Sequence, residues 1–371
     1  MVADLSELFP PATCARLIVK VGSALLVDLA GVVRREWLAT LVADVAGRVA
    51  AGQQVAIVSS GAIALGARRL DLAKGGRASL EDAQAAAAVG QIALAQAWAE
   101  LLGAHRLHAA QMLLTLGDLE DRRRYLNAAA TVARLLALGT VPVINENDSV
   151  ATEEIRFGDN DRLAARVAQA AGAQGVVLLS DVDGLYDRDP ALPGAVRISR
   201  VERIDAVAGM ADAGSGSGMG TGGMVAKLAA ARIATGAGIP LAIASGRVNA
   251  PLSGERPHTL FVAERTASAR KAWLAGGLTT AGTIRVDAGA AAALASGGSL
   301  LAAGATALEG NFARGDLIAI HGPASPIARG LSEYDAGDAR RLLGLRKEEQ
   351  AAVLGHAPRS ALVHRSHLAL L

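Results

Sequence analysis

Short, unbroken apolar runs recur along the first two thirds of the chain, and each ends in small or polar residues. They are 16–21 (RLIVKV) before Gly22-Ser23, 55–58 before Ser59-Ser60-Gly61, 141–144 before Asn145, 176–179 before Ser180-Asp181, and 241–244 before Ser245-Gly246. Aliphatic runs of this length without alternation predict strands buried on both faces, and 111–115 (QMLLT) predicts one more. Between them lie stretches of helical character: 36–51, closed by Gly52, and 83–102, capped by Ser79 with Glu81 and Asp82 in the first turn. The turn-rich 183–190 (DGLYDRDP) predicts a loop or hairpin, and the mixed charges of 118–124 (DLEDRRR) a solvent-facing helix start. Strands alternating with helices from 16 to about 246 predict an α/β fold, a mostly parallel sheet with helices on both faces. Ligands bind such sheets beyond the carboxyl ends of the strands, where these polar clusters sit.

The densest cluster is 141–166 (VPVINENDSVATEEIRFGDNDRLAAR), with Glu146, Asp148, Glu153, Glu154, Asp159 and Asp161 among Asn145, Asn147 and Asn160. Carboxylates crowded at the end of a buried strand are costly unless something positive neutralises them. An ammonium group, a metal ion or a lysine would do so; a solvated acidic loop is the plainer alternative. Lys20, at a strand end beside a glycine turn, suits phosphate contact. A glycine run, 214–223 (GSGSGMGTGG), leads into a helix holding Lys227. Gly218, Gly220 and Gly223 meet the spacing of a dinucleotide fingerprint, but no strand leads in. A Walker A loop fails too, because Ala226 precedes Lys227 and Leu228 follows it. What remains is a glycine loop able to fold over polyphosphate and deliver an ammonium, or a plain interdomain linker.

At 371 residues and 51% hydrophobic content the chain can bury a large core and is expected to form two domains. Residues 1–14, with Pro10-Pro11, read as a loose extension, followed by a domain at 15–265, a linker at 266–280 and a second domain at 281–371. In the last, 283–286, 316–320 and 361–364 predict strands and 338–343 a short helix, giving a small α+β or barrel-like module. A formal net charge of +2 argues for neither nucleic acid nor a membrane surface. The single cysteine, Cys14, excludes an intrachain disulfide framework and suits a reducing cytosol. Asp4 and Glu7 interrupt any signal-peptide pattern, and Gln84, Gln91 and Gln96 make 83–102 read as a packed helix too polar for a bilayer. A soluble, cytoplasmic protein is expected.

Together, Lys20-Val21-Gly22-Ser23, Ser59-Ser60-Gly61-Ala62-Ile63, NENDSV (145–150), FGDND (157–161), Ser180-Asp181 and GTGGM-x-x-K (220–227) resemble the glutamate 5-kinase family. The resemblance runs from about 14 to the C-terminus, and GNFARGDLIAI (310–320) with GLSEYDAGDARRLLG (330–344) is similar to a PUA domain. It implies a three-layer αβα sandwich of the amino acid kinase fold with a small β-rich PUA-like domain. It also implies ATP-dependent phosphorylation of the L-glutamate γ-carboxylate, the first step of proline biosynthesis. Lys20 and Lys227 match the lysines on the transferred phosphoryl group and Asp161 the aspartate that orients them. Ser60, Asp148, Asp159 and Asn160 match the glutamate side. Lys20, Gly22, Ser180, Asp181, Thr221, Gly222, Gly223, Met224 and Lys227 match the nucleotide side, where ATP comes with Mg²⁺ and no protein metal ligand is named. The resemblance further implies a homo-oligomer (dimer or tetramer) and feedback inhibition by proline, with Glu154 and 118–122 nearby. It implies RNA as a candidate partner of the PUA-like domain, which the charge balance does not support, and no membrane. Two positions depart from the family: Ala24 follows Ser23 where a second hydroxyl is frequent, and Ser180 stands where threonine is frequent.

The chemistry is compatible with these residues. A carboxylate nucleophile, with a pKa of about 4, is already ionised at neutral pH and needs no general base. No histidine sits in these motifs. Acidic, amide-rich turns suit an acceptor with a free α-ammonium better than an N-acylated amino acid or a nucleoside monophosphate. Competing expectations are another acceptor within the same fold (acetylglutamate, carbamate, uridylate), an RNA-binding accessory, and an inactive homologue, the last disfavoured by Lys20, Asp161 and Lys227.

Overall fold

The computed structural model describes residues 5–28, 30–150, 159–207, 210, 221–263 and 280–371. The chain divides into two units, Met1–Glu120 with Asn127–Glu264, and Asp121–Leu126 with Arg265–Leu371. The first is built on an eight-stranded sheet of β1 (Arg16–Val21), β2 (Gln54–Val58), β3 (Ala109–Leu114), β4 (Val141–Glu146), β5 (Gly175–Ser180), β8 (Arg200–Val201), β9 (Leu241–Ser245) and β10 (His258–Phe261). β6 (Leu185–Tyr186), inside the turn-rich 183–190, forms a separate antiparallel pair with β7 (Arg197–Ile198), which lies beyond it. The sheet order is β3-β4-β2-β1-β5-β9-β10-β8. Every pairing from β3 to β9 is parallel, whereas β10 runs antiparallel to β9. β1 and β5 lie in the middle, and all six residues of β5 are buried, which is why their sequences carry no polar alternation. The register sets Lys20 opposite Val58 of β2 and Leu178 of β5, so three strands end together.

The helices of this region include α1 (Arg35–Ala50), α2 (Ala62–Arg69), α3 (Leu80–Ala104), α4 (Arg122–Ala137, of this unit from Asn127 on), α5 (Asp159–Ala171) and α6 (Thr221–Gly236). Ser79 caps α3 by accepting the Asp82 backbone N–H at 3.1 Å. α2 and α3 pack backbone to backbone at two glycines. A Cβ on Gly66 would lie 1.7 Å from the Ala86 carbonyl oxygen, and one on Gly90 1.8 Å from that of Ala62. Any side chain at either position would force the helices apart. By length and composition α3 is apolar enough to cross a membrane, contrary to the reading of its glutamines. Its fate is set by packing instead: Ala86, Leu94, Trp98 and Leu102 are buried in this unit.

Two expectations are corrected in the first unit. Residues 1–14 are not a loose extension as far as they are described: Leu5, Phe9 and Cys14 are buried in the core. The Arg48 guanidinium donates to the Leu5 and Phe9 carbonyls, and Gln53 Nε2 donates to those of Phe9 and Cys14. These interior polar partners come from α1 and the turn before β2, so nothing local announces them. Strands β8 and β10 were also not expected: β8 is only two residues long, and β10 lies in a stretch with Pro251 and Pro257 just before it. β10 is held by tertiary contacts, with Thr259 Oγ1 accepting the Leu185 N–H at 2.7 Å and donating to the Ile198 carbonyl at 2.6 Å.

The second unit contains a five-stranded sheet, order β12-β11-β13-β14-β15, formed by β11 (Gly282–Val286), β12 (Ala305–Gly310), β13 (Leu317–His321), β14 (Pro326–Leu331) and β15 (Leu368–Leu370). Ile284, Phe312, Ile318, Ile320 and Val363 lie in its core. The expected strand at 361–364 is not one. Val363 makes only an isolated bridge to Leu300, and this apolar run is buried by packing rather than by a ladder. The short helix begins at Ala336, earlier than expected, because Asp335 caps it through the Asp338 N–H.

Candidate active site

At the carboxyl edge of the central strands, three elements bring one carboxylate and two ammonium groups together. Lys20 comes from the end of β1, Asp161 from the first turn of α5 and Lys227 from the second turn of α6. Lys20 Nζ stands 2.5 Å from Asp161 Oδ1, and Lys227 Nζ stands 3.2 Å from Asp161 Oδ2. Asp161 is 0% exposed, Lys20 6% and Lys227 7%. Two cations and one anion thus share a site nearly closed to water. The uncompensated positive charge is costly there and favours the arrival of an anion.

The protonation directions reflect this imbalance. Burial would raise the Asp161 carboxyl, but the two lysines outweigh it and hold the group below the ordinary carboxylate range. Burial lowers the Lys20 ammonium, helped by the charge of Lys227 and opposed by Asp161. Asp161 faces two cations, whereas the support of Lys20 by Asp161, with a smaller push from Asp181, does not offset its burial and the charge of Lys227.

A glycine flanks each amine. A Cβ on Gly22 would sit 3.9 Å from Lys20 Nζ, and one on Gly223 3.9 Å from Lys227 Nζ. The Gly22 N–H donates to the Leu179 carbonyl at 3.1 Å, tying the turn after β1 to β5. Where β5 ends, Ser180 Oγ donates to Asp181 Oδ1 at 2.9 Å, and the exposed Arg247 lies 3.9 Å from Asp181 Oδ2. Met224 is half-buried on α6. Thr221 and Gly222 open the same helix, their side chains lying outside the described residues, as do 214–220.

On the other side of Asp161 lie the turns after β2 and β4. Ser60 is buried, and Gly61 starts α2 with φ +100°, a left-handed conformation that suits glycine. Asn160 Oδ1 accepts the Glu146 N–H at 3.3 Å, so α5 is joined to the last residue of β4. Asp148 is half-buried and faces Arg77: burial lowers the Arg77 pKa, and Asp148 opposes that shift. Asp159 opens α5, but its side chain lies outside the described residues, as do 151–158 with Glu153 and Glu154. Arg77 and Arg247 were not anticipated, because each lies in an irregular segment remote in sequence from its acid. Gln91 and Trp98 were not anticipated as site neighbours either; their seven-residue spacing on one buried helix face was the available signal.

The profile of the amino acid kinase family matches residues 15–245, which span this whole constellation. The chain belongs to the amino acid kinase family. The PUA domain profile matches residues 282–354, within the second unit. The chain is 72% identical over 367 residues to the glutamate 5-kinase of Sphingopyxis alaskensis, covering 98% of this chain and 100% of the relative. It is 61% identical to the glutamate 5-kinase of Novosphingobium aromaticivorans, covering all of both chains. To the glutamate 5-kinase of Zymomonas mobilis it is 58% identical, covering 98% of this chain and 93% of the relative.

Proposed function

We propose that this chain is a glutamate 5-kinase, transferring the γ-phosphoryl group of ATP to the γ-carboxylate of L-glutamate to give L-glutamyl 5-phosphate and ADP. The observation that carries the reading is the buried Lys20–Asp161–Lys227 cluster, whose extra positive charge waits at the strand ends for an anion. The relatives named glutamate 5-kinase supply the acceptor.

The reaction asks little covalent chemistry of the protein. The acceptor oxygen is already ionised, so its lone pair attacks phosphorus without a base and the bond to the ADP oxygen breaks. The protein must bring two anions into line and neutralise charge on the transferring oxygens. Lys20 and Lys227 do this from two sides, and Asp161 keeps the amines aimed and charged. Ser180, Asp181, Gly22 and the first turns of α6, with Thr221, Gly222, Gly223 and Met224, hold the nucleotide; Ser60, Asp148, Asp159 and Asn160 hold glutamate. Among the described residues no group of three or more His, Cys, Asp or Glu side chains is placed to cage a metal. Mg²⁺ would enter with the ATP phosphates and keep several of its own waters. When bound, the ion neutralises phosphate charge. We further infer that the reaction runs in the cytoplasm, in a homo-oligomer, and that proline inhibits it at the glutamate side.

The test is ADP release by the full chain with ATP, Mg²⁺ and L-glutamate, with hydroxylamine trapping the acyl phosphate as a hydroxamate. One hydroxamate per ADP is expected, and none with N-acetyl-L-glutamate, carbamate or UMP. Turnover with one of those acceptors and not with glutamate would overturn the assignment. Asp148→Asn is expected to raise the KM for glutamate by about 10–100-fold, as losing a charge-assisted contact costs about 1.5–3 kcal/mol, with the KM for ATP unchanged. An effect confined to ATP would contradict its placement on the glutamate side.

A further inference from the structure

We propose that Gln91 is a positioning residue: from the buried face of α3 it fixes the amide of Asn145 and, through it, the turn after β4 that takes glutamate. The inference rests on the glutamate-kinase reading for its kinetic consequence, but not for its geometry. Gln91 is 9% exposed and Asn145 1%, so both amides lie inside the protein. Asn145 Nδ2 donates to Gln91 Oε1 at 2.8 Å, and Asn145 Oδ1 accepts the Glu146 N–H at 2.9 Å.

The orientations of these amides agree with one another. The Glu146 N–H is a backbone donor and faces oxygens, and Asn145 turns Oδ1 toward it. Its NH₂ then points at Gln91, which must present Oε1. The same Glu146 N–H also reaches Asn160 Oδ1 at 3.3 Å, and Asn160 precedes the Asp161 that pairs with both lysines. Acceptor, amide and backbone therefore form one chain of bonds from α3 through the end of β4, where the turn begins, to the start of α5.

The helix that carries Gln91 is itself held in place. Two turns on, Trp98 Nε1 donates to Ser59 Oγ at 3.0 Å, beside Ser60, and the Ser59 N–H donates to the Ile144 carbonyl at 2.8 Å. Gly90, next to Gln91, brings α3 against the backbone of α2, which starts at the turn after β2. One rigid helix thus sets the spacing of both turns on the glutamate side. Losing the Gln91 acceptor frees the Asn145 amide to rotate and leaves its buried NH₂ without a partner.

The test uses the full chain and compares Gln91→Leu, which fills the space without an acceptor, with Gln91→Glu, which keeps one. Gln91→Leu is expected to raise the KM for L-glutamate by about tenfold or more, to leave the KM for ATP unchanged and to reduce kcat less. Gln91→Glu is expected to recover most of that loss. Leu94→Ala, a buried neighbour on the same helix, controls for stability and should lower the melting temperature without changing the KM ratio. Hydrogen exchange at the Glu146 amide provides a readout without turnover: it should quicken in Gln91→Leu and return in Gln91→Glu. Equal rises in both KM values, failure of Gln91→Glu to recover, or unchanged exchange at Glu146 would overturn the proposal. Absence of glutamate turnover in the unmodified chain would instead overturn the function, leaving the exchange result to judge the relay.

Discussion

Lys227→Ala is expected to lower kcat for glutamate phosphorylation by about 10²–10³ while the folded state survives. Removing one preorganised group that stabilises developing charge typically costs that much. The fold should tolerate the change because of how the charges are shared. With Lys227 gone, Asp161 keeps Lys20 at 2.5 Å, so no carboxylate is stranded, and a cluster of two cations and one anion becomes a neutral pair. The melting temperature without ligand should therefore hold or rise, which separates a catalytic role from a structural one. Lys20→Ala should lose kcat similarly but lose more stability, since it removes the shorter contact and leaves Asp161 with Lys227 at 3.2 Å. Steady-state kinetics and thermal melts on the two variants check both parts. Turnover near that of the unmodified chain in either variant would remove its lysine from the phosphoryl site.

The central sheet was legible because its strands are buried on both faces and therefore apolar without interruption, as β1 and β5 show. Their polar endings were legible for the same reason: Gly22, Ser59-Ser60, Asn145 and Ser180-Asp181 mark where the chain leaves the core. Elements owed to long-range contacts were not. β10 depends on Thr259 meeting the chain at Leu185 and Ile198, and the burial of Leu5 and Phe9 depends on Arg48 and Gln53. In the site, the approach of Lys20, Asp161 and Lys227 spans most of the kinase domain, and only the motif set as a whole placed them together. The support behind them was hidden by composition: Gln91 and Trp98 sit in an alanine-rich helix whose partners, Asn145 and Ser59, lie on other elements.

Asp161→Asn should have the larger consequence for stability, because it leaves two buried ammonium groups facing each other with no anion between them. Breaking a buried ion pair by removing one member typically costs about 3–5 kcal/mol. The pH dependence gives the variant a signature that a loose fold would not show. In the unmodified chain the lysines hold the Asp161 carboxyl below its ordinary range. The unfolded chain therefore binds this proton more readily, so the contribution of Asp161 is present above about pH 4 and is lost as pH falls through the depressed folded value. The asparagine variant lacks that acid-sensitive part. For Lys20 it is the charged form that the fold disfavours, since burial and Lys227 pull its pKa down while Asp161, with a smaller push from Asp181, opposes them. Without Asp161 its folded pKa falls further below the unfolded value of about 10.4, so the stability of the variant should climb as pH rises toward that value. Urea unfolding at a series of pH values should therefore show the stability deficit of Asp161→Asn shrinking from neutral to alkaline pH, with kcat lost throughout. A deficit constant across that range would mean that the charge of Asp161 is not what holds the two lysines, and with it the account of the phosphoryl site would fail.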